Sequence, residues 1–370
     1  MNILFSSPHQ TAYNNLKPVL EKKNNVYFFK YICQCNFYTE SLKLCEQIKK
    51  EFPKIDVFCL ANYFKFNSYY RPTLLHRIYI KIYIFVLMFK LKNLFDTYIF
   101  CPGGLVEGTV SKIMSKKGKK TIMIEGGFPL DNFLNLGKKM KYQKILINIF
   151  PNHNLNRPLK YIDYFLVSGS FSKTVRENHN FESIKLLSFG VPRYINLFNQ
   201  PVKKIHDRKF DIIFLTGAFD FHGMDDLSLT QIQIIKELSE FSVKNNLKTA
   251  IQVHPRLKNN FDKFKNLTYE TNNFESNLLD SKLSLSLYSS GNYESILLGT
   301  VAFFIGKNFT SQWPEKELRA KSFEDLLEII NLSDSEYKNI LKIQKQYSKL
   351  HINDKTVHSV DKLCAIIEND

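Results

Sequence analysis

The stretch Lys248-Thr249-Ala250-Ile251-Gln252-Val253-His254-Pro255-Arg256 decides the fold prediction. Its short run of β-branched and apolar residues predicts a buried strand. Proline after His254 biases that histidine toward an extended backbone and ends the strand. Because ligands of open α/β sheets bind outside the carboxyl ends of the strands, His254 is a candidate site residue.

A second segment, Ser284-Leu285-Ser286-Leu287-Tyr288-Ser289-Ser290-Gly291-Asn292-Tyr293-Glu294-Ser295, follows further along the chain. It predicts a strand, a turn of small residues and the start of a helix. Backbone N–H groups and hydroxyls at a helix N-terminus bind anions. A lone His-Pro usually marks only a strand end, and Ser-Ser-Gly is usually a turn. Their order here favours a phosphate site, for which we expect the residues His254, Pro255, Ser289, Ser290 and Gly291.

The rest of the chain alternates predicted strands with amphipathic helices, which indicates βαβ units and parallel sheets. At 370 residues the chain is long enough for two domains.

A polar segment at 196–209 is predicted to be a linker, and a new first strand is predicted to begin at Phe210. The loop Thr216-Gly217 after that strand is expected to line the nucleotide site. The expected phosphate site favours a transferase that moves a group from a nucleotide-activated donor to an acceptor. We predict an α/β fold of two Rossmann-like domains that face each other across a cleft. The predicted ranges are 1–195 for the acceptor side, 210–345 for nucleotide-sugar binding, and 346–370 for a C-terminal helix that packs back on the first domain.

Lysine and arginine outnumber acidic residues by 51 to 35, a formal net charge of +16. Such a charge suits a nucleic acid, an anionic membrane surface or an acidic substrate, or it reflects the lysine-rich composition of a chain from a low-GC genome. The chain has no nucleic-acid-binding signature, so we expect no nucleic-acid partner.

Six cysteines without a paired C-x-x-C pattern predict reduced thiols in a cytoplasmic protein. The N-terminus lacks a basic region and a cleavage site, so it reads as a strand rather than a signal peptide.

The segment 71–95 is apolar but too short to span a bilayer. Two interpretations stay open. It forms a buried helix between sheet and solvent, or an interfacial helix that places Arg71, Arg77, Lys90 and Lys92 on anionic headgroups.

Glu125 follows an apolar run directly and precedes two glycines. A carboxylate at a strand end, with room for close approach of a substrate, suits proton abstraction. The alternative is that Glu125 braces the loop after it. Asp225-Asp226 reads as an exposed turn, and no Asp-x-Asp stands at a strand end, so no metal site is predicted.

In this order, Glu125-Gly126, His254-Pro255 and Ser289-Ser290 resemble the motifs of bacterial sialyltransferases and polysialyltransferases of the GT-B type, and capsule Kdo transferases are similar. Ile124 stands where those families carry a further acidic residue. The resemblance implies an inverting, metal-independent glycosyltransferase that needs no cofactor. Its co-substrate would be a CMP-activated 2-keto sugar acid such as sialic acid, Kdo or a related nonulosonic acid.

The resemblance also implies roles for single residues. His254 would contact the donor phosphate and stabilise the leaving group, Ser289 and Ser290 would bind the same phosphate, and Glu125 would deprotonate the acceptor. His9 is the next candidate base. The expected partners are a glycan or lipid-linked acceptor and an anionic inner-membrane surface on which the protein is peripheral.

Three other functions remain open from the sequence. The first two are a CDP-glycerol-type phosphotransferase and a UDP-sugar transferase of surface polysaccharide synthesis. The third is a non-catalytic protein that binds glycans or a membrane surface.

Overall fold

The computed structural model describes residues 1–7, 10–23, 28–33, 38–63, 74–91, 93–101, 105–126, 161–177, 184–219, 224–255, 257, 264–306 and 314–368. The chain divides into two compact units. Unit 1 comprises Met1–Ile195 and His351–Asp370, and unit 2 comprises Asn196–Leu350.

The strands, in chain order, are β1 Asn2–Ser7, β2 Phe28–Cys33, β3 Asp56–Cys59, β4 Thr97–Phe100, β5 Lys120–Ile124, β6 Tyr164–Val167, β7 Lys185–Ser188, β8 Phe210–Leu215, β9 Thr249–Gln252, β10 Thr268–Glu270, β11 Ser281–Ser286, β12 Val301–Ile305 and β13 Arg319–Ala320. The α-helices are α1 Gln10–Lys23, α2 Tyr38–Glu51, α3 Leu74–Leu91, α4 Leu105–Lys116, α5 Ser170–Glu177, α6 Asp225–Lys244, α7 Phe274–Leu279, α8 Gly291–Leu298, α9 Glu324–Ile330, α10 Asp334–His351 and α11 Ser359–Glu368.

Unit 1 is built on a parallel sheet in the order β3-β2-β1-β4-β5-β6-β7. Successive side chains of a strand point to opposite faces, so the sheet supports one core on each side. Ile99 and Ile122 belong to the first core, together with residues of α1, α2 and α11. Tyr98 and Met123 belong to the second, together with residues of α3 and α4. The largely apolar composition of the central strands therefore follows from burial on both faces.

The C-terminal helix α11 packs on α1 within unit 1. Lys22 pairs with Asp361, and Lys23 Nζ lies 3.1 Å from Glu368 Oε1. Val360, Leu363 and other residues of α11 join the first core. The last helix of the chain thus completes the layer that α1 and α2 begin.

Helix α3 is buried on one face only. Ile80, Ile84 and Met88 lie in the second core, whereas Leu75 and Phe89 on the other face are exposed. Helix α3 therefore lies between the sheet and solvent, and its exposed apolar face keeps the interfacial interpretation open as well. Among the described residues, no helix is long and apolar enough to cross a membrane.

Unit 2 is built on a parallel sheet in the order β10-β9-β8-β11-β12-β13. Ile212, Phe214, Leu283 and Phe304 are buried at its centre. Arg208, within the segment that reads as a linker, is buried as well. Its guanidinium donates to the carbonyls of Ser281 and Gly299 at 2.8 and 2.9 Å and to the Tyr337 hydroxyl at 2.9 Å.

Two acidic residues that were predicted to lie in an exposed turn lie in a helix instead. Asp225 and Asp226 form the first turn of α6 and do not lie in a turn before it. Acidic side chains are favoured there by the partial positive charge of the helix N-terminus.

Two Rossmann-like α/β units with parallel sheets are present, which confirms the predicted fold class.

Candidate functional site

The strand order of unit 2 places a topological switch point beside β8. The chain proceeds from β8 to β9 and β10 on one side, then returns to β11 on the other side. Leu215 of β8 is in register with Gln252 of β9 and with Ser286 of β11. The carboxyl ends of these three strands are therefore adjacent. Such a point is where open α/β sheets bind ligands, and each predicted site residue of unit 2 follows one of these ends.

Thr216 joins the ends of β8 and β9. Its backbone N–H donates to the Gln252 carbonyl at 3.1 Å, and its hydroxyl donates to the same carbonyl at 3.2 Å. The hydroxyl oxygen also accepts the backbone N–H of His254 at 2.8 Å. His254 is half-buried, and its carbonyl accepts the N–H of Leu257 at 2.9 Å. Pro255, which follows, is exposed. The structure thus brings Thr216 and His254 together at one edge.

Gly217 is held by a side chain that sequence reasoning missed. Gln231 of α6 is buried, and its amide accepts the Gly217 N–H at 2.6 Å and donates to the Gly217 carbonyl at 3.2 Å. Both polar groups of the Gly217 backbone are therefore fixed by one residue. A glutamine on the buried face of an amphipathic helix is the only sequence signal that could have pointed to it.

Ser289 lies two residues before the helix that follows β11 and binds the first residue of that helix. Its hydroxyl oxygen accepts the Gly291 N–H at 3.1 Å, and its own N–H donates to Ser286 Oγ at 3.1 Å. With the oxygen engaged as an acceptor, the hydroxyl proton of Ser289 can donate to a ligand. Ser290, half-buried, is the N-cap position of α8. The two serines therefore stand at a helix N-terminus, where anions are stabilised.

Gly291 has no room for a side chain. A Cβ built there would lie 2.8 Å from Leu215 Cδ1 and 3.0 Å from Phe274 Cζ. The first turn of α8 is also fixed by Asn292, whose amide donates to the Phe303 carbonyl at 2.8 Å. The close approach of α8 to β8 explains a glycine at this position, and it keeps the helix N-terminus at the switch point.

Two aromatic residues border the same edge. Phe219 follows the Thr216-Gly217 loop and Tyr288 follows β11, and their rings meet edge to face at 6.4 Å between centroids. Both are buried, and burial raises the pKa of the Tyr288 hydroxyl. Tyr288 is therefore a neutral, protonated group at physiological pH.

In unit 1, Glu125 lies directly after β5, as predicted, but it is almost fully buried. Its carboxylate accepts the backbone N–H of Ser168 at 2.9 Å and the hydroxyls of Ser168 and Ser172 at 2.9 and 2.5 Å. Arg176 Nη2 lies 3.3 Å from Glu125 Oε1, and both side chains are inaccessible to solvent. We call these four residues the Glu125 cluster.

The Glu125 cluster ties β5 to the end of β6 and to α5. Ser172 and Arg176 are four residues apart and so share one face of α5. Glu125 and Arg176 thus form a buried ion pair, in which the carboxylate oxygens of Glu125 also accept hydrogen bonds from Ser168 and Ser172. They support the bracing interpretation of Glu125, and its role as a base stays a prediction. His9, the next candidate base, lies outside the described residues.

Arg193 stands at the same edge of unit 1. Its Nη1 donates to the Gly126 carbonyl at 3.3 Å, and its guanidinium lies over the Tyr194 ring at 4.5 Å. The Glu125 carbonyl in turn accepts from Asn15 Nδ2 at 3.3 Å. The loop after β5 is thus held at two successive carbonyls by residues that sequence reasoning did not select.

No protein-family model matches the chain, and no curated protein matches its sequence. Solved structures are similar in fold. The UDP-GlcNAc 2-epimerase of Neisseria meningitidis bound to UDP-GlcNAc is 14% identical, with a TM-score of 0.57 and full coverage of both chains. A UDP-glucosyltransferase of Polygonum tinctorium is 10% identical at a TM-score of 0.55, over 100% of this chain and 99% of that one.

A variant of the wall teichoic acid polymerase TagF is 12% identical at a TM-score of 0.55, over 100% of this chain and 88% of that one. At these identities the likenesses concern the fold. They confirm the predicted GT-B type of two-unit α/β architecture.

Proposed function

We propose that the chain is a sugar-nucleotide-dependent glycosyltransferase whose donor is a CMP-activated 2-keto sugar acid. One observation carries the proposal. Thr216, His254 and the Ser289-Ser290-Gly291 turn gather at the carboxyl edge of adjacent strands, at the switch point of unit 2. A helix N-terminus with two hydroxyls suits a phosphate, and a neighbouring imidazole suits charge stabilisation at a leaving group.

The proposed reaction is an inverting transfer. The acceptor hydroxyl oxygen forms a bond to the anomeric carbon of the donor. The bond from that carbon to the phosphate oxygen breaks, and CMP leaves with the electron pair. Ser289 and Ser290 hold the phosphate, and His254 stabilises the charge that develops on it. The acceptor proton goes to a general base, for which Glu125 remains the predicted residue.

A second candidate is an enzyme that uses a UDP-activated sugar. It is supported by the fold likeness to a 2-epimerase bound to UDP-GlcNAc and to a UDP-glucosyltransferase. The proposed phosphate site does not distinguish CMP from UDP, because the phosphate is common to both nucleotides. The acceptor in both cases is proposed to be a surface glycan or its lipid-linked precursor.

Nucleotide binding separates the candidates. Melting temperature would be measured with CMP, CDP, UDP and GDP at equal concentration, because a ligand stabilises the folded state by mass action. We expect the largest rise with CMP. The rise should shrink in Ser289→Ala and persist in the matched variant Ser276→Ala, whose side chain is exposed on α7.

A larger rise with UDP would replace the CMP donor by the second candidate. No rise with any of the four nucleotides, or an equal rise in Ser289→Ala, would remove the proposed phosphate site.

A further inference from the structure

Helix α3 carries a continuous stripe of exposed apolar side chains. Its members are between 39% and 78% exposed: Leu75, Ile78, Tyr79, Ile82, Phe85, Val86 and Phe89. At about 100° per residue, they fall within an arc of about 120° on one face of the helix. Isolated exposed apolar residues are ordinary, but a contiguous patch of this kind marks an interaction surface. We call these seven residues the α3 stripe.

The α3 stripe is not needed to cover the sheet. The opposite face of α3 supplies Ile80, Ile84, Leu87, Met88 and Leu91 to the second core of unit 1. That face supplies the apolar surface that a helix needs in order to pack on a sheet. Among the residues that the structure describes, the members of the stripe belong to neither core of unit 1.

Positive charge borders the α3 stripe on both sides. On the same projection, Lys81 and Lys90 lie at opposite margins of the apolar arc. Partial burial lowers the pKa of Lys81, and the positive charge of the nearby Lys112 on α4 lowers it further. Between Asp56 and Asp96 the sequence holds four lysines, two arginines and no acidic residue. The α3 stripe, with Lys81 and Lys90 at its margins, is therefore complementary to an anionic partner.

We propose that the α3 stripe docks unit 1 on a bilayer surface that contains anionic lipids. The apolar side chains would enter the boundary between headgroups and acyl chains. Lys81 and Lys90 would extend to the headgroup phosphates, as long amphipathic side chains do. The helix would lie in the plane of the interface.

A second copy of the chain fits this surface less well. In a two-fold symmetric dimer the same patch faces itself, and an apolar seam with lysines at both margins would bring like charges together. A groove-binding protein partner is also disfavoured, because the stripe is the convex face of a single helix. A planar anionic surface would bury the apolar side chains of the stripe and would also contact the lysines at both of its margins.

The position of α3 in the fold relates the stripe to the edge that carries Glu125. The chain enters α3 after the carboxyl end of β3 and leaves it at the amino end of β4. The N-terminal end of α3 is therefore on the side of the sheet's carboxyl edge. A bilayer beneath the stripe would present a lipid-linked acceptor near that edge. The docking itself does not depend on the proposed sugar transfer.

The test is co-sedimentation of the full chain with vesicles. One set contains phosphatidylglycerol mixed with phosphatidylcholine, and the other contains phosphatidylcholine alone. We expect binding to the anionic vesicles, weaker binding to the neutral ones, and at least a tenfold loss of partitioning in Ile82→Ser/Phe85→Ser/Phe89→Ser. The matched control is Leu229→Ser/Val243→Ser, which removes two comparably exposed apolar residues of α6.

A conservative variant guards against misfolding of the triple one. Phe85→Trp should show a blue shift of tryptophan emission when anionic vesicles are added, whereas Leu229→Trp should not. The proposal is overturned if the wild type ignores anionic vesicles, or if the triple variant binds them as the wild type does. It is equally overturned if the wild type is a dimer that the triple variant dissociates while neither binds vesicles, since a second copy would then occupy the stripe.

Discussion

The hydroxyl oxygen of Thr216 accepts the backbone N–H of His254 at 2.8 Å. The same hydroxyl donates to the Gln252 carbonyl at 3.2 Å. One side chain at the end of β8 therefore fixes the backbone on which His254 stands after β9. The placement of the imidazole depends on Thr216, a residue that would have no chemical step of its own.

Thr216→Val keeps the shape of the side chain and removes both hydrogen bonds. We expect a loss of unfolding free energy of about 1–2 kcal/mol, since the half-buried N–H of His254 loses its acceptor. Nucleotide affinity should fall as well, because the His254 backbone is released. Urea denaturation and titration calorimetry measure the two effects. Thr216→Ser keeps the hydroxyl and serves as control, and wild-type affinity in Thr216→Val would show that the bond does not position the site.

His254→Ala removes the imidazole and keeps the N–H that Thr216 binds. Turnover should fall by roughly 10²–10⁴-fold, the usual effect of losing an acid or charge-stabilising group at a leaving group. Stability should change by no more than about 0.5 kcal/mol, because the side chain is only half-buried. Initial rates and thermal unfolding test this, with exposed His206→Ala as control. Undiminished turnover in His254→Ala would remove His254 from the mechanism.

The Cys101 thiol should be inert in the folded protein. Burial raises its pKa from 9.0 to about 12, and its Sγ donates to the Ala12 carbonyl at 3.3 Å. The thiolate is the reactive form, so it is scarce in the folded state even at pH 9. Because the folded pKa is raised, the stabilising effect of this group is complete below about pH 9 and is lost as pH rises toward 12.

Pulse labelling with a maleimide, followed by peptide mass spectrometry, tests the Cys101 prediction. The peptide that contains Cys101 should stay unmodified in native protein at pH 7.5 and become modified in urea. Rapid labelling of native protein would mean that the carboxyl end of β4 is open to solvent.

The strand ends of unit 2 could be predicted because their signals are local. Strand β8 begins at Phe210, as predicted. The strand, turn and helix start around Ser289 also appear in the predicted order. Apolar runs buried on both faces and closed by proline or small polar residues identify such elements without knowledge of their neighbours.

Other features depend on contacts distant in sequence and could not be predicted. Arg176 faces Glu125 only because α5 packs on β6, the neighbour of β5 in the sheet, which no spacing in the sequence shows. Gln231 meets Gly217 for the same kind of reason. Helix α3 is apolar around most of its circumference, so its periodicity cannot tell which face the sheet covers.

The last prediction separates two roles for Glu125. Glu125→Gln removes the negative charge that faces the buried Arg176 guanidinium. Breaking a buried ion pair from one side costs about 3–5 kcal/mol, so we expect a clear loss of stability. Replacing both members by groups without charge avoids that penalty. Glu125→Gln/Arg176→Met should therefore recover most of the lost stability, as measured by thermal unfolding.

Turnover of the double variant then identifies the role, with CMP binding as the control for a folded nucleotide site. If Glu125 only braces the loop after β5, turnover should return toward the wild-type value along with stability. If Glu125 is the general base, the double variant should be stable, bind CMP and remain about 10²–10⁴-fold slower than the wild type. A double variant no more stable than Glu125→Gln would contradict the ion-pair account, because the uncompensated charge would then not be the source of the loss.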